Sequence, residues 1–205
     1  MISGSRIAFA GKGQRGRRGS GFLADRAADQ ARGAGRAGGS SPRSWPEGDT
    51  PIAEELAGEL YVFYGFDLPG AFRLVSRRDC ARMRLDAGDL RHLAVRNLTR
   101  RRARPQIKQA PAAAMFVLDG NLESSLLLVD HLWEQIGPQL PGELIAAVPS
   151  RDMLAVTGSQ VPGGIAALTR CADAVWQQST TRLLTRSLLI RHGPSWQLLP
   201  AAGQP

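Results

Sequence analysis

Apolar and polar positions are most clearly ordered between residues 113 and 136. Residues 113–118 form a mostly apolar run that favours a buried strand, and Asp119-Gly120-Asn121 has the composition of a turn. After the turn, apolar residues recur at the spacing of one helix face, at Leu126, Val129, Trp133 and Ile136. Because Gly137-Pro138 is a typical stop signal, the pattern predicts a strand, a turn and a helix that begins near Leu122.

The rest of the second half is ordered in a similar way. The segments ELIAAVPS (143–150) and DMLAVTGS (152–159) each favour a strand. VPGG at 161–164 then opens a helix, whose apolar positions are Ile165, Leu168, Ala172, Val175 and Trp176. Gly193-Pro194 lies between two strand-like runs and predicts a closing hairpin.

The first half becomes patterned at Thr50-Pro51, which fits a helix start. Three residues at helical spacing then predict a short helix, namely Ile52, Leu56 and Leu60. Residues 60–66, LYVFYGF, favour a strand. Asp86 and Asp89 resemble a capping box before another helix, which the apolar spacing extends to about Arg100.

The order of elements in the second half, β-α-β-β-α-β-β, favours an α+β fold. We expect a mixed or antiparallel sheet with helices packed on one face. Apolar residues make up 43% of the 205, which suits one domain with its own core. The sequence therefore predicts a single domain at 50–200, a disordered low-complexity segment at 1–49 and a flexible end at 201–205.

Residues 1–46 carry most of the net charge of the chain. They contain nine Lys or Arg residues against Asp25 and Asp29, a net charge of +7, whereas the whole chain has +8. Basic and acidic residues nearly balance in the remaining 159 residues, at 17 and 16. Nucleic-acid binding is therefore expected only through residues 1–46.

Several common functional motifs are incomplete. GKGQRG at 11–16 follows the strand-like run Ile7–Ala10 with Gly-x-Gly-x-x-Gly spacing, but more glycines follow it where a nucleotide-binding helix is needed. Cys80 and Cys171 lie too far apart for a Cys-x-x-Cys site, and a reducing, cytoplasmic compartment is expected. No apolar run is long enough to span a membrane, so no membrane partner is expected.

The start of the predicted helix after residue 118 is the densest polar group. Asp119 and Glu123 could bind a metal through carboxylate oxygens, and Asn121, Ser124 and Ser125 could add hydrogen-bonding groups. The same residues also suit a helix start, with Asn121 as the N-cap and Glu123 in the first turn. The structural interpretation is favoured, since a metal site needs more ligands than the two carboxylates of this turn supply.

Arg151 and Asp152, between two predicted strands, form a second candidate. The guanidinium of Arg151 could hold an anionic ligand, but such a group more often binds a carboxylate or carbonyl and fixes a turn. We therefore expect Arg151 and Asp152 to matter for stability more than for ligand binding.

Three segments resemble blocks of the YtpQ-like bacterial proteins, a family of unknown function. They are LRHLAVRNL (90–98), LDGNLESSLLLVDHLW (118–133) and ELIAAVPSRDMLAVTGS (143–159). The resemblance extends roughly from Leu60 to Leu198 and implies a cytosolic bacterial protein without an established activity. The family has a further amino-terminal region, where this chain has a Gly/Arg-rich segment before Thr50.

These observations favour a non-catalytic binding or interaction module whose partner is an unidentified protein or small molecule. One alternative is a metal-dependent or hydrolytic enzyme that uses Asp119, Glu123, Ser124 and Asp152. A second alternative is nucleic-acid association through the basic tail. Neither a cofactor nor a particular metal can be assigned from the sequence.

Overall fold

The computed structural model describes residues 5–11, 48–68, 71–101, 105–118, 120–178 and 182–200. The strands in these residues are β1 (Ser5–Gly11), β2 (Ala53–Ala57), β3 (Leu60–Leu68), β4 (Ala71–Leu74), β5 (Gln106–Ala110), β6 (Ala113–Val117), β7 (Leu144–Ala147), β8 (Leu154–Gly158), β9 (Leu188–His192) and β10 (Ser195–Leu198). The α-helices are α1 (Arg77–Met83), α2 (Leu90–Arg101), α3 (Asp130–Ile136) and α4 (Gly164–Gln178). Short 3-10 helices cover Ala87–Asp89, Glu123–Leu128 and Gly137–Gln139.

The first sheet is built around β3, and every pairing in it is antiparallel. β1 pairs along one edge of β3, with Ile7 opposite Tyr64. β2 and β4 pair along the other edge, where Glu54 lies opposite Val62 and Arg73 lies opposite Phe66. β3 is thus paired on both sides, which suits its mostly buried residues.

The second sheet has the order β10-β9-β7-β8-β6-β5 and is also antiparallel throughout. Its central strands β7 and β8 are buried along their whole length because both faces of the sheet are covered. On one face, Ile145 and Ala147 pack with Leu168 of α4. On the other face, Ala146 and Val156 join the larger core.

The larger core lies between the second sheet and the first sheet with its helices. Its buried residues include Val62 and Tyr64 of β3, Cys80 of α1, and Leu90 of α2. The turn between β2 and β3 also meets the segment before β9, where the Thr185 hydroxyl donates a hydrogen bond of 2.7 Å to Glu59 Oε1. Burial of apolar surface on both sheets therefore holds this α+β structure together.

The α+β class and the antiparallel sheet are confirmed, but the chain forms two sheets, and helices pack on both faces of the second sheet. Within the segment predicted to be disordered, Ser5–Gly11 forms β1. Gly48 and Asp49 are described as well, while the rest of 1–49 and residues 201–205 lie outside the described residues. For those residues, disorder stays a prediction.

The prediction of a helix from Pro51 to Leu60 is wrong. Ala53–Ala57 instead forms β2, with the alternating exposure of a strand, and it turns through Gly58 to pair with β3. The apolar residues Ile52, Leu56 and Leu60 fit helical spacing, but pairing with β3 decides the conformation, as tertiary context often does.

The helix predicted to run from Leu122 to Ile136 is interrupted. Its first part is a 3-10 helix, and Val129 leaves helical geometry at φ −94° and ψ 80° before α3 begins. The carbonyl oxygens of Leu126 and Leu127 accept hydrogen bonds from the indole N–H groups of Trp133 and Trp196, each at 2.9 Å. An α-helix would offer those oxygens to backbone amides four residues later, so the tryptophans compete with a continuous helix.

Candidate functional site

The predicted polar residues meet where the turn before the Glu123–Leu128 helix packs against the turn between β7 and β8. The amide and hydroxyl of Ser124 both donate to the carbonyl oxygen of Arg151, at 3.1 and 2.9 Å. The Arg151 guanidinium donates to Asn121 Oδ1 at 3.2 Å. The structure therefore brings the two sequence-predicted candidates into one cluster, which we call the polar junction: Asn121, Glu123, Ser124, Ser125, Arg151 and Asp152.

Glu123 lies inside this junction and is 2% exposed. Its Oε1 accepts hydrogen bonds from the amides of Leu118 and Gly120, at 3.0 and 2.6 Å. Gly120 has a φ of +73°, which glycine adopts without the strain of a side chain. The Glu123 carboxylate thus fixes the turn before its own helix, in place of the N-cap predicted at Asn121.

The two serines after Glu123 are buried as well, each 1% exposed. The amide of Ser125 donates a hydrogen bond of 3.0 Å to the carbonyl of Leu122, three residues earlier, which is the bonding pattern of a 3-10 helix. A nucleophilic Ser124 would need a base beside its hydroxyl, but that hydroxyl donates to a carbonyl group instead. The Ser124 hydroxyl therefore connects its helix to the turn at Arg151.

Asp152 points to its own turn and to the segment that follows α4. The Ser150 hydroxyl donates to Asp152 Oδ1 at 2.6 Å, and Arg182 Nη1 lies 3.9 Å from Asp152 Oδ2. The amide of Arg151 donates to the carbonyl of Arg182 at 3.0 Å. Three stretches of chain that are distant in sequence therefore interlock at this place.

Asp119, which the metal-site hypothesis needs, lies outside the described residues. In the described part of the chain, no group of three or more His, Cys, Asp or Glu side chains could hold a metal ion. The roles predicted for the seven candidate residues therefore stay predictions, although six of them are now placed.

A charged surface lies on α1 and α2, outside the basic tail at 1–46. Residues 73–104 contain eleven arginines and three aspartates, a net charge of +8, whereas residues 47–72 contain six acidic residues and no basic one. The near balance over the last 159 residues conceals these two opposed segments. Counting charge in shorter windows would have revealed them.

Some of these arginines are used within the fold. Arg73 binds Asp79 through two hydrogen bonds, at 2.7 and 3.0 Å. Arg91 Nε lies 2.7 Å from Glu54 Oε1 on β2. The Arg91 pair ties α2 of the basic segment to β2 of the acidic segment, whereas the Arg73 pair joins β4 to α1 within the basic segment.

Five other arginines are exposed and form no ion pair with any described residue. We call them the arginine surface: Arg77, Arg82, Arg84, Arg96 and Arg100. Both helices turn buried residues, Cys80 of α1 and Ala94 of α2, to the same core, so their exposed sides face away from it. His92 is exposed one turn before Arg96 on α2, and the carboxylates of Asp86 and Asp89 lie at the opposite end of that helix from Arg100.

The chain is similar to UPF0354 proteins, an uncharacterised bacterial family. It is 27% identical over 120 residues to the UPF0354 protein of Listeria monocytogenes, and 24% identical over 117 and 119 residues to those of Halalkalibacterium halodurans and Bacillus cytotoxicus. These matches cover 56% to 57% of this chain but only 44% to 45% of the relatives, so the chain spans less than half of their length. No family model matches the chain, and no solved structure gives a significant match.

The similarity confirms the predicted resemblance to a bacterial family of unknown function. Within the described residues, every helix is too short or too polar to cross a membrane.

Proposed function

We propose that this chain is a non-catalytic binding module that holds an anionic partner through the arginine surface. The observation that carries the proposal is the set of five exposed arginines, four on α1 and α2 and Arg84 at the end of α1, without an ion pair in the described structure. Arg96 and Arg100 lie one turn apart on α2, where like charges raise the electrostatic free energy of the free protein and an anionic partner relieves the repulsion. The five residues lie within a segment of net charge +8.

The polar junction supports the non-catalytic interpretation. Glu123 binds two backbone amides, the Ser124 hydroxyl binds a carbonyl and Asp152 binds the Ser150 hydroxyl. Each of these bonds ties its side chain to the backbone or to a residue of the same turn, as a structural role requires. The proposal therefore assigns the polar junction to folding and the arginine surface to binding.

A cytoplasmic location is part of the proposal. Cys80 and Cys171 are both free thiols, which is the usual state in a reducing compartment. Burial raises the pKa of the Cys80 thiol, so little reactive thiolate forms at neutral pH. Both properties suit a binding protein without cysteine chemistry.

Chromatography of the full chain on immobilised heparin, a polyanion, tests the proposal. Charge reversal by Arg96→Glu or Arg100→Glu should lower the salt concentration at which the protein elutes. Arg170→Glu is a matched control, because Arg170 is exposed on α4 at the other face of the second sheet and the net charge changes equally. Arg17→Glu makes the same charge reversal in residues 1–46 and tests whether that basic segment binds heparin.

The proposal predicts a clear loss of retention for the two α2 variants and little change for Arg170→Glu. If all four variants eluted alike, net charge alone would explain retention and the arginine surface would have no special role. If Arg17→Glu alone reduced retention, binding would belong to the tail, and the proposed surface would be wrong.

A further inference from the structure

The composition of the arginine surface narrows the chemistry of its partner. All eleven basic residues of 73–104 are arginines, and none is lysine. The planar guanidinium presents paired N–H donors that match two phosphate oxygens, whereas a lysine ammonium acts as a point charge. Guanidinium groups therefore suit phosphate, and arginine is the usual basic residue throughout this chain, in which Lys12 and Lys108 are the only lysines.

A phosphate-bearing partner could be a membrane, but the helices lack the apolar residues that membrane binding needs. Among the described residues, the exposed large apolar side chains are Ile107, Met115, Ile165 and Leu198, and all lie outside α1 and α2. The apolar side of α2, including Leu90, is buried in the larger core. An interfacial helix must instead turn such a side to the lipid.

Single-stranded nucleic acid is also a poor match, because proteins that bind it stack bases on aromatic side chains. Residues 73–104 contain no Phe, Tyr or Trp. Trp133 and Trp196, which are large enough for stacking, are buried in the core and donate their indole N–H groups to carbonyls. The surface can therefore contact phosphates but offers no platform for unpaired bases.

Resting on the proposed binding of an anionic partner, we infer that the arginine surface, and not residues 1–46 as the sequence suggested, binds double-stranded nucleic acid by its phosphate backbone. α2 has 12 residues and so is about 18 Å long, a length along which a DNA duplex carries about ten phosphate charges. Arg96 and Arg100 lie on successive turns of the same helix face. Several guanidinium groups can therefore meet the dense charge of a duplex together.

Fluorescence anisotropy with the full chain tests this inference. The probes are a labelled DNA duplex, an RNA duplex of the same sequence, one labelled single strand, polyglutamate, and vesicles of phosphatidylserine and phosphatidylcholine. We expect the duplexes to bind more tightly than the other three probes, with little dependence on base sequence. The two duplex arms show whether DNA or RNA is preferred.

The salt dependence locates the contacts. Each phosphate contact contributes about −0.9 to the slope of log K against log salt concentration on a DNA duplex. The double variant Arg96→Ala, Arg100→Ala should therefore make the slope shallower by about 1.8, while Arg170→Ala leaves it unchanged. A slope that the double variant left unchanged would contradict the inference.

The outcomes separate this inference from the proposed function. If single strands, polyglutamate or vesicles bound at least as tightly as the duplexes and depended on Arg96 and Arg100, the duplex inference would be overturned and the anionic-partner proposal would stand. If none of the five probes bound, both would be overturned.

Discussion

The hydroxyl of Ser124 donates a hydrogen bond of 2.9 Å to the carbonyl oxygen of Arg151, 27 residues further along the chain. The contact joins the 3-10 helix at Glu123–Leu128 to the turn between β7 and β8. Both partners come from segments in which the sequence suggested ligand binding. The structure uses them to connect two parts of the fold.

Ser124→Ala should therefore lower the free energy of unfolding by about 1 kcal/mol, because a buried hydroxyl loses its hydrogen bond. Chemical denaturation measures the change, and Ser195→Ala is the control because Ser195 is exposed on β10. Equal stability of the two variants would show that the Ser124 contact contributes nothing.

Arg151→Ala should cost about 1.5–3 kcal/mol, since it removes a charge-assisted hydrogen bond to Asn121. Arg170→Ala, an exposed change on α4, should stay within about 0.5 kcal/mol of wild type. The proposal also expects Arg151→Ala to keep its retention on heparin. If Arg151→Ala left the free energy of unfolding unchanged but reduced retention on heparin, Arg151 would have to be assigned to binding and not to stability.

Asp79 should make the fold sensitive to acid. Burial by itself raises the pKa of the Asp79 carboxyl, but hydrogen bonds from Arg73 and Ser76 outweigh it and lower the pKa to about 2. The folded-state pKa is thus below that of an unfolded aspartate, about 3.9, so the stabilisation is present above about pH 4 and is lost as the pH falls through 2.

The measurement for Asp79 is the difference in unfolding free energy between wild type and Asp79→Asn. We expect about 2 kcal/mol near neutral pH, and a difference that shrinks between about pH 4 and pH 2. A constant difference over that range would mean that ionisation of Asp79 does not stabilise the fold.

Gly58 tests the contact between the two sheets. Its φ is +56°, and a Cβ at this position would overlap the side chain of Leu198 on β10. Gly193 has the same φ of +56° with nothing within 4 Å of an added Cβ, so Gly193→Ala isolates the backbone strain. Because Leu198 is exposed and its side chain can turn aside, Gly58→Ala should be less stable than Gly193→Ala by about 1 kcal/mol, the low end of the cost of overpacking.

Adding Leu198→Ala to Gly58→Ala should recover part of that loss, because it removes the side chain that the new methyl group meets. Denaturation of the single and double variants completes the cycle. If the losses of unfolding free energy in the two single variants were additive in the double variant, Gly58 and Leu198 would not be in contact.

Local patterns predicted most strands of the second sheet and the helix α4, because apolar residues there alternate or recur over complete elements. They did not predict that Ala53–Ala57 pairs with β3, nor that tryptophan indoles interrupt the helix after Leu122. Both outcomes depend on partners that are distant in sequence. The sequence patterns also missed the capping box of α1, in which the side chains of Ser76 and Asp79 each accept a hydrogen bond from the other residue's backbone amide.

The candidate site residues were also predicted from local sequence alone, which does not show how distant segments pack together. Polar groups at a turn are visible in the sequence, but whether Ser124 faces a ligand or the carbonyl of Arg151 depends on how two turns dock. The arginine surface was visible only as a local excess of charge. Only the fold shows that Arg96 and Arg100 are exposed and that they form no ion pair with a described residue.

Backbone amide shifts from two-dimensional NMR of the labelled full chain, during titration with a heparin oligosaccharide, test the central claim most directly. We predict concentration-dependent shifts at 77–84 and 92–101, and none at 121–125 or 151–152. Shifts centred on the polar junction, or confined to residues 1–46, would contradict the account.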